Sequence, residues 1–326
     1  MISTLNGWSV QRYGGPETLT QVARPLAPPT ADQVMLRIKA SAVTRADTMM
    51  RRGEPRWARA FLGFRRPRKD LSGVCLSGEV VAVGSNVTRF SVGDDVFGEA
   101  GLNFGANANH ICLDANSVLL HKPSWLSHQE AAVLCDGVLT SYNFLVHIAN
   151  VKAGENVLIL GASGSLGTAA VQIGAAIGAQ VTGVCSAQNT DLVTKLGAAH
   201  VIDYAQEDFT KQNTRYDVIF DTLGIARFSK AKSALSRSGR YVCPVLSLNL
   251  MGVMLRTALV GRRKASFSAT GMLPPDTLKP MLNQVLELIK AGQLTPVIDR
   301  SYPLQELVEA HRYVEGGHKR GNVVLV

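Results

Sequence analysis

The sequence predicts an α/β protein that combines a doubly wound parallel sheet with a small β-barrel. Three observations support this prediction. Short strand patterns closed by Gly, Pro and Asp occupy the chain before about Ser127, strand and helix patterns alternate after it, and a glycine-rich turn joins an apolar run to a helix at residues 156–173. With 326 residues, the chain is long enough for two domains that each bury a core.

The first strand patterns predict the small barrel. Residues 34–43 alternate between apolar and polar side chains, and residues 78–84 end in a glycine turn. Residues 92–98 contain a turn that enters a short strand, and residues 110–113 form another. Several short strands of this kind fit a small barrel.

The glycine-rich turn at residues 161–167 predicts a phosphate-binding site. It follows the apolar run 157–160, which is typical of a strand buried on both faces of a parallel sheet. Gly161, Gly164 and Gly167 are three residues apart, which allows a pyrophosphate to approach the start of the following helix. The alternative is a tight strand-to-helix turn without a ligand.

The rest of the chain predicts the remaining parts of the parallel sheet and a return to the barrel. Right-handed crossovers are expected between consecutive parallel strands. The last strand is expected to join the barrel. Strands are predicted at 181–185, 200–202, 217–221, 240–242 and 322–326, and helices at 190–197, 276–292 and 306–314.

The composition indicates a globular, cytoplasmic protein. Hydrophobic residues make up 46% of the chain and charged residues 18%. No apolar run reaches membrane-spanning length, and the first residues lack the basic and apolar regions of a signal peptide. Five cysteines are scattered without a Cys-x-x-Cys pair, which predicts reduced thiols.

Much of the net charge of +9 lies in one basic segment, residues 51–69. Such a segment could bind nucleic acid, an acidic membrane surface or a phosphorylated carrier, or it could be a solvated loop with aromatic side chains beneath it. Its basic residues are Arg51, Arg52, Arg56, Arg59, Arg65, Arg66, Arg68 and Lys69, and its aromatic residues are Trp57, Phe61 and Phe64.

Five segments occur together in an order typical of one family: 12–17, 78–90, 93–97, the glycine-rich turn and 196–204. On these segments the chain resembles the medium-chain dehydrogenase/reductases, specifically their zinc-independent quinone oxidoreductase or zeta-crystallin branch. The resemblance implies a GroES-like barrel domain of residues 1–123 and 270–326, a Rossmann dinucleotide-binding domain of residues 124–269, and a homodimer. It also implies hydride transfer from NADPH to a quinone or an α,β-unsaturated carbonyl compound in the cleft between the domains.

The resemblance also bears on metal binding. Zinc-dependent relatives place a cysteine, a histidine and a further cysteine or acid around the metal, and the corresponding positions here are Thr44, Val74 and Asp136. One carboxylate falls short of the three protein ligands of a catalytic zinc site, and Cys75 beside one of these positions does not complete it. We therefore expect no metal.

The residues after the second strand of the parallel sheet favour NADPH over NADH. An NAD site usually has an acidic residue about 20 positions after the glycine turn. This chain has residues 185–189 there, and its next carboxylate is Asp191. Ser186 and Asn189 can donate to a 2′-phosphate and Lys195 adds positive charge, whereas the alternative for Ser186 is an ordinary strand-end residue.

The resemblance extends the list of cofactor contacts. It implies that Tyr204 lies near the adenosine end, that Leu223 and Gly224 lie near the nicotinamide, and that Thr140 contacts a phosphate or the carboxamide. Tyr204 could instead cap a strand, and Gly224 could simply turn the chain. The full set is Thr140, Gly161, Ser163, Gly164, Ser165, Leu166, Gly167, Ser186, Asn189, Tyr204, Leu223 and Gly224.

The candidate catalytic residues are Thr44, Asp47 and Asn107. Asp47 matches the last residue of the family's Asn-Pro-x-Asp segment, whereas Thr44 replaces its asparagine. Asn107 stands where many relatives have tyrosine, and an amide donates a hydrogen bond but supplies no phenolic proton. Local hydrogen bonding within loops is the alternative for Asp47 and Asn107.

Two other functions fit the sequence. Enoyl reduction of an acyl thioester would use residues 51–69 to bind a phosphopantetheine carrier. A nucleotide-responsive nucleic-acid-binding protein with marginal catalysis would use the same segment, and its binding would weaken with salt. The expected partner is a small-molecule substrate, and we expect neither a nucleic acid nor a membrane span.

Overall fold

A computed structural model of the protein describes residues 4–326, apart from the side chain of Phe61. The chain forms two compact units. The first consists of the residues up to Asp136 together with Pro274–Lys279 and Ile298–Val326, and the second of Gly137–Leu273 and Pro280–Val297. Residues 1–3, on which the expectation of no signal peptide partly rests, lie outside the described residues.

The strands are β1 (Thr4–Val10), β2 (Leu19–Pro25), β3 (Gln33–Val43), β4 (Cys75–Val83), β5 (Asp95–Glu99), β6 (His110–Asp114), β7 (Leu119–His121), β8 (Asn156–Leu160), β9 (Gln180–Cys185), β10 (His200–Asp203), β11 (Tyr216–Asp221), β12 (Leu235–Val242), β13 (Lys264–Ser266), β14 (Ile298–Tyr302) and β15 (Asn322–Leu325). The α-helices are α1 (Arg45–Arg52), α2 (Arg59–Leu62), α3 (His128–Ala132), α4 (Leu139–Tyr142), α5 (Ser165–Ile177), α6 (Thr190–Lys195), α7 (Phe228–Ala234), α8 (Leu248–Leu259), α9 (Pro275–Lys290) and α10 (Leu307–Glu315). Among residues 4–326, no helix has the length and apolar character needed to cross a membrane.

The second unit contains a six-stranded parallel sheet with the strand order β10-β9-β8-β11-β12-β13. The order reverses between β8 and β11, so the sheet grows in both directions from β8, as a doubly wound sheet does. The predicted apolar run forms β8, in which Val157, Leu158 and Ile159 are completely buried, as expected for a strand covered on both faces. The predicted α/β class and doubly wound sheet are confirmed.

The first unit contains a seven-stranded sheet and the separate pair β1–β2. The sheet runs β14-β15-β3-β4-β5-β7, and β6 pairs with β3. The strands predicted for the small barrel supply β3 to β6, and buried side chains such as Val34, Leu76 and Leu119 form their core. As predicted, the last strand returns here, because β15 pairs antiparallel with β3.

Residues 280–297 group with the second unit, whereas the sequence assigns residues 270–326 to the barrel domain. The side-chain amide of Gln172 in α5 contacts this segment. It donates to the carbonyl oxygen of Thr295 at 3.0 Å and accepts from the N–H of Thr295 at 2.8 Å. The domain limits of the sequence analysis remain a prediction.

Candidate functional site

The predicted glycine-rich turn links the end of β8 to the start of α5. Gly161 has a φ of 75°, in the left-handed region that favours glycine, and a Cβ there would lie 2.8 Å from the Leu223 side chain. A Cβ on Gly167 would lie 2.1 Å from the carbonyl oxygen of Gly161, so α5 packs directly on the turn. Gly164 caps α5 without a side-chain hydrogen bond, which leaves the helix N-terminus suited to an anion.

Residues predicted to bind the adenosine end of the cofactor lie together. Asn189 donates through Nδ2 to Ser163 Oγ and to Ser186 Oγ, both at 3.1 Å, and so links the glycine turn to the end of β9. Its Oδ1 is buried and has no hydrogen-bond partner within residues 4–326. Tyr204 is exposed, and its N–H donates to the carbonyl oxygen of Cys185 at the end of the same strand.

The polar group at the end of β9 is uncharged. Asp203 lies opposite Cys185 in the pairing of β10 with β9, and its Oδ1 accepts from the N–H of Ala205 in its own turn at 3.1 Å. Asp191 lies in the first turn of α6. In the part of the chain that the structure describes, the side-chain hydrogen bonds of Asn189 go to hydroxyl groups and none goes to a carboxylate.

Asp221, at the end of β11, is a site residue that the sequence prediction misses. Its Oδ1 accepts from the N–H groups of Leu223 and Gly224 at 3.2 and 2.8 Å. Its Oδ2 accepts from the N–H of Ala226 at 2.7 Å and from the hydroxyl of Tyr241 at 2.8 Å. Burial and this carboxylate raise the pKa of Tyr241. The signal in the sequence is an acid directly after an apolar run and three residues before a glycine.

The segment that carries Thr140 packs on the N-terminus of α5. Ser141 donates through Oγ to the carbonyl oxygen of Leu166 at 2.8 Å, and a Cβ on Gly137 would lie 2.9 Å from the carbonyl oxygen of Ser165. The predicted cofactor contacts therefore meet at the carboxyl ends of β8 to β11, where doubly wound sheets bind their ligands.

Thr44 and Asp47 form a capping box at the start of α1. Asp47 Oδ2 accepts from the Thr44 N–H at 2.8 Å and from Thr44 Oγ1 at 2.7 Å. The other oxygen, Oδ1, is buried and has no hydrogen-bond partner among residues 4–326. Burial raises the pKa of Asp47 to about 6, against the effect of the two hydrogen bonds from Thr44.

Asn107 is buried, and its amide is engaged within the first unit. Its Oδ1 accepts from Ser41 Oγ at 3.1 Å, and its Nδ2 donates to Ser72 Oγ at 3.2 Å. A Cβ on Gly73 would lie 2.5 Å from the Asn107 side chain, so the loop packs closely there. The structure brings Thr44 and Asp47 together and holds Asn107 in a separate hydrogen-bonded group.

An acidic cluster surrounds Asp136, one of the positions that zinc-dependent relatives use for the metal. Burial and Asp136 together raise the pKa of Glu99 to about 7. Burial lowers the pKa of Lys319 to about 8, while the attraction of Asp136 opposes this shift. Lys319 is absent from the sequence prediction. Within residues 4–326, no three His, Cys, Asp or Glu side chains are arranged to hold a metal ion.

Fewer basic side chains of residues 51–69 lie on the surface than the sequence predicts. The Arg51 side chain is buried and forms an ion pair with Glu315, and its Nε lies 3.4 Å from Nδ1 of His311. Arg51 therefore does not belong to a surface patch. Phe64 is exposed rather than packed beneath the basic side chains, and the Phe61 side chain lies outside the described residues.

Two family models match the chain. The alcohol dehydrogenase GroES-like domain matches residues 30–150, and the zinc-binding dehydrogenase domain matches residues 196–325. The second match extends into the first unit. Among residues 4–326, no three His, Cys, Asp or Glu side chains are arranged to hold a metal ion.

Relatives match over nearly the whole chain. The NAD(P)H oxidoreductase RTN4IP1, mitochondrial, of Mus musculus is 31% identical over 365 residues, which cover 99% of this chain and 89% of the relative. The quinone oxidoreductase of Homo sapiens is 30% identical over 337 residues, which cover 97% of this chain and 96% of the relative. The structure of the quinone oxidoreductase from Coxiella burnetii has a TM-score of 0.87 at 26% identity and covers 99% of both chains. The chain thus belongs to the medium-chain dehydrogenase/reductase superfamily of oxidoreductases, as a quinone oxidoreductase-like member.

Proposed function

We propose that the chain is a metal-free reductase that uses NADPH to reduce quinones or α,β-unsaturated carbonyl compounds. The uncharged group formed by Ser163 of the glycine turn with Ser186 and Asn189 after β9 carries the cofactor assignment. A carboxylate there would repel a 2′-phosphate, whereas hydroxyl and amide groups can donate hydrogen bonds to it. The name of the Mus musculus relative supports a nicotinamide cofactor.

The glycine turn fits the pyrophosphate of this cofactor. A Cβ on Gly164 would meet only the carbonyl oxygen of Gly161, at 3.5 Å, so the turn has open space for phosphate oxygens. The α5 N-terminus supplies N–H donors and the positive end of its dipole. The unpartnered Oδ1 of Asn189 is a buried acceptor that a ribose hydroxyl would satisfy.

Each predicted contact receives a role in this proposal. The pyrophosphate contacts are Gly161, Ser163, Gly164, Ser165, Leu166 and Gly167. The adenosine contacts are Ser186, Asn189 and Tyr204, and the nicotinamide contacts are Thr140, Leu223 and Gly224. Asp221 is a positioning residue, because it holds the backbone of the loop that carries Leu223 and Gly224.

NADPH supplies the hydride when it is bound, and the protein supplies orientation and a proton. We assign the proton to Asp47, because its Oδ1 is buried and unpartnered within the described residues. Thr44 fixes this carboxyl group through two hydrogen bonds. Asn107 is a positioning residue that joins Ser41 to Ser72.

The direct test is NADPH oxidation with quinones, enones, 2-alkenals and enoyl thioesters as acceptors. We expect turnover with a quinone or a free unsaturated carbonyl compound, and a kcat/KM at least ~10-fold lower with NADH, because NADH lacks the 2′-phosphate. No turnover with any acceptor, or a preference for NADH, would overturn the proposal.

Enoyl reduction on a carrier protein is the second candidate function. Phe64, Arg65 and Arg66 help to line a surface hollow of about 700 Å³, and the positive charge of the two arginines suits a phosphopantetheine phosphate. Turnover confined to carrier-bound enoyl thioesters would establish this candidate. A salt-sensitive mobility shift lost on neutralising these arginines would instead point to nucleic acid. A cytoplasmic location remains a prediction from composition.

A further inference from the structure

The first unit contains a small cavity beside Asp47. Its volume is about 40 Å³, and its lining includes Asp47 and Arg51 of α1, His311 of α10, and Ser72 and Gly73 in the loop before β4. A buried water molecule needs about 10–15 Å³ and two to four polar partners. The cavity therefore has room for about one to three water molecules.

Two polar atoms of this lining have no hydrogen-bond partner in the described part of the chain. They are Oδ1 of Asp47 and Nε2 of His311. Asp47 is 5% exposed and His311 is 1% exposed, so bulk solvent does not supply the missing partners. Buried polar atoms are normally paired with protein or with ordered water. The two atoms and the cavity between their elements together indicate a bound molecule.

Arg51 decides which ring nitrogen of His311 carries the hydrogen. Its Nε donates to His311 Nδ1 at 3.4 Å, and a guanidinium group has no acceptor, so Nδ1 supplies the lone pair. The guanidinium is fixed by its ion pair with Glu315 and its hydrogen bond to the carbonyl oxygen of Gly14. Burial and the charge of Arg51 lower the pKa of His311 to about 3, so the ring is neutral at pH 7. His311 Nε2 therefore carries the hydrogen and is a donor.

Asp47 presents an acceptor to the same cavity. Its Oδ2 accepts both hydrogen bonds from Thr44, so the proton of the neutral carboxyl group belongs on Oδ1. A protonated carboxyl oxygen donates one hydrogen bond and keeps acceptor capacity. Oδ1 can therefore give its proton to a substrate and accept a hydrogen bond from a molecule in the cavity.

The occupant must accept a hydrogen bond from His311 and donate one to Asp47. The carboxyl group disfavours an anion in this position, and the charge of Arg51 together with the N–H of His311 disfavours a metal cation. A water molecule has both a lone pair and hydrogens, and it bridges two protein groups at little cost. Water is the occupant that satisfies both atoms.

We propose that ordered water in this cavity joins His311 Nε2 to Asp47 Oδ1 and returns a proton to Asp47 after each turnover. The return of the proton rests on the proposed reductase function. When Asp47 gives its proton to the reduced product, its carboxylate takes a proton from the water. A solvent proton replaces it at Lys69, an exposed residue of the same lining. One solvent proton is consumed for each NADPH, and His311 keeps its hydrogen and acts as a positioning residue.

A crystal structure of the full chain without cofactor or substrate tests the water directly. We expect an ordered water within about 3.2 Å of both His311 Nε2 and Asp47 Oδ1, or two such waters in contact with each other. A cavity without water, or a direct hydrogen bond between His311 and Asp47, would overturn the proposal.

Nitrogen-15 NMR of the histidine rings tests the donor. The signals of His311 are identified by their loss in His311→Gln. We expect the neutral ring with hydrogen on Nε2 at pH 7. A hydrogen on Nδ1, or a charged ring, would contradict the bridge. Both this measurement and the crystal structure decide the water site even if no acceptor is reduced.

Kinetics of two substitutions test the return of the proton. His311→Leu should lower kcat at least ~10-fold and change KM less than ~2-fold, because the proton return is slowed and substrate binding is not. His311→Gln keeps an N–H donor and should retain kcat within ~3-fold. Added imidazole should raise kcat of His311→Leu at least ~3-fold, since a small acid can supply the missing proton.

His110→Leu is the matched control. His110 is buried in the same unit with both ring nitrogens unpartnered among residues 4–326, but it does not line the cavity. It should leave kcat and the response to imidazole unchanged. An equal loss in both leucine variants, or a loss in His311→Leu that imidazole does not relieve, would show that His311 acts only in packing. Thermal unfolding checks that the variants are folded, and the two measurements on the unmodified chain do not depend on them.

Discussion

Asn189 is the residue on which the choice of cofactor depends. It joins Ser163 in the glycine turn to Ser186 at the end of β9 and keeps one amide oxygen buried without a partner among the described residues. Both hydroxyl groups can rotate their protons towards an anion, because hydroxyl groups act as donors and as acceptors. A negative charge at this point would therefore change cofactor preference more than a change of shape.

Ser186→Asp should weaken NADPH binding at least ~10-fold and leave NADH binding nearly unchanged. Only NADPH carries a 2′-phosphate, and the introduced carboxylate would repel its negative charge. Fluorescence titration with both reduced cofactors measures the effect. Ser186→Asn is the neutral control and should retain the preference for NADPH. Equal losses in the two variants would show that charge at this position does not select the cofactor.

Asp47 carries the prediction for pH dependence. Its pKa is raised to about 6, and a proton donor must be protonated, so kcat should be maximal below pH ~6 and fall as the pH rises above it. Asp47→Asn keeps the shape of the side chain and should lower kcat by roughly 10²-fold or more, without the fall above pH 6.

Glu99→Gln is the control for this pH profile, because the pKa of Glu99 is also raised, to about 7. The control should retain the fall in kcat that wild type shows. If the fall disappears in Glu99→Gln and persists in Asp47→Asn, Glu99 rather than Asp47 titrates in the reaction.

At the scale of elements, α5 and α8 use glycine in opposite ways. Gly167 lies where α5 crosses the glycine turn, and a Cβ there would lie 2.1 Å from the carbonyl oxygen of Gly161 and 2.6 Å from the backbone of Ala162. Gly252 in α8 has open space around its Cβ position. The first glycine allows a close contact, whereas the second only loosens a helix.

Gly167→Ala should destabilise the protein by roughly 1–3 kcal/mol, because α5 must move away from the turn. It should also weaken NADPH binding. Gly252→Ala makes the same change in an uncrowded helix and should stabilise the protein by about 0.5–1 kcal/mol. Urea unfolding of both variants measures these values, and a neutral Gly167→Ala would contradict the close packing of α5 on the turn.

Local elements could be predicted from the sequence, whereas long-range partners could not. The strand β8, the glycine turn and α5 are encoded in one continuous stretch, because each depends on neighbouring residues. The burial of Arg51 depends on Glu315, and the electrostatics of Asp136 depend on Lys319. No spacing in the sequence marks these pairs, because only the folded first unit brings their elements together.

At the scale of the whole molecule, the edges of the sheets matter. β13 forms one edge of the parallel sheet and pairs only with β12 among the described strands. An edge strand presents backbone groups that can pair with another chain. We propose that β13 pairs with its copy in a homodimer, as the resemblance to the family implies.

Light scattering after size-exclusion chromatography should give twice the chain mass of 35.0 kDa. A mass equal to a single chain at every protein concentration would exclude the dimer.

The position of β15 has a consequence for synthesis on the ribosome. β15 lies between β14 and β3 in the sheet of the first unit, but it is translated after all of the second unit. At about 5–20 residues per second, β3 waits roughly 14 s or more for this neighbour. During that time the second unit can already fold, while β3 stays open at residues 41–43, which pair with β15. A chaperone that protects the nascent chain would therefore act on the first unit, which is made first and completed last.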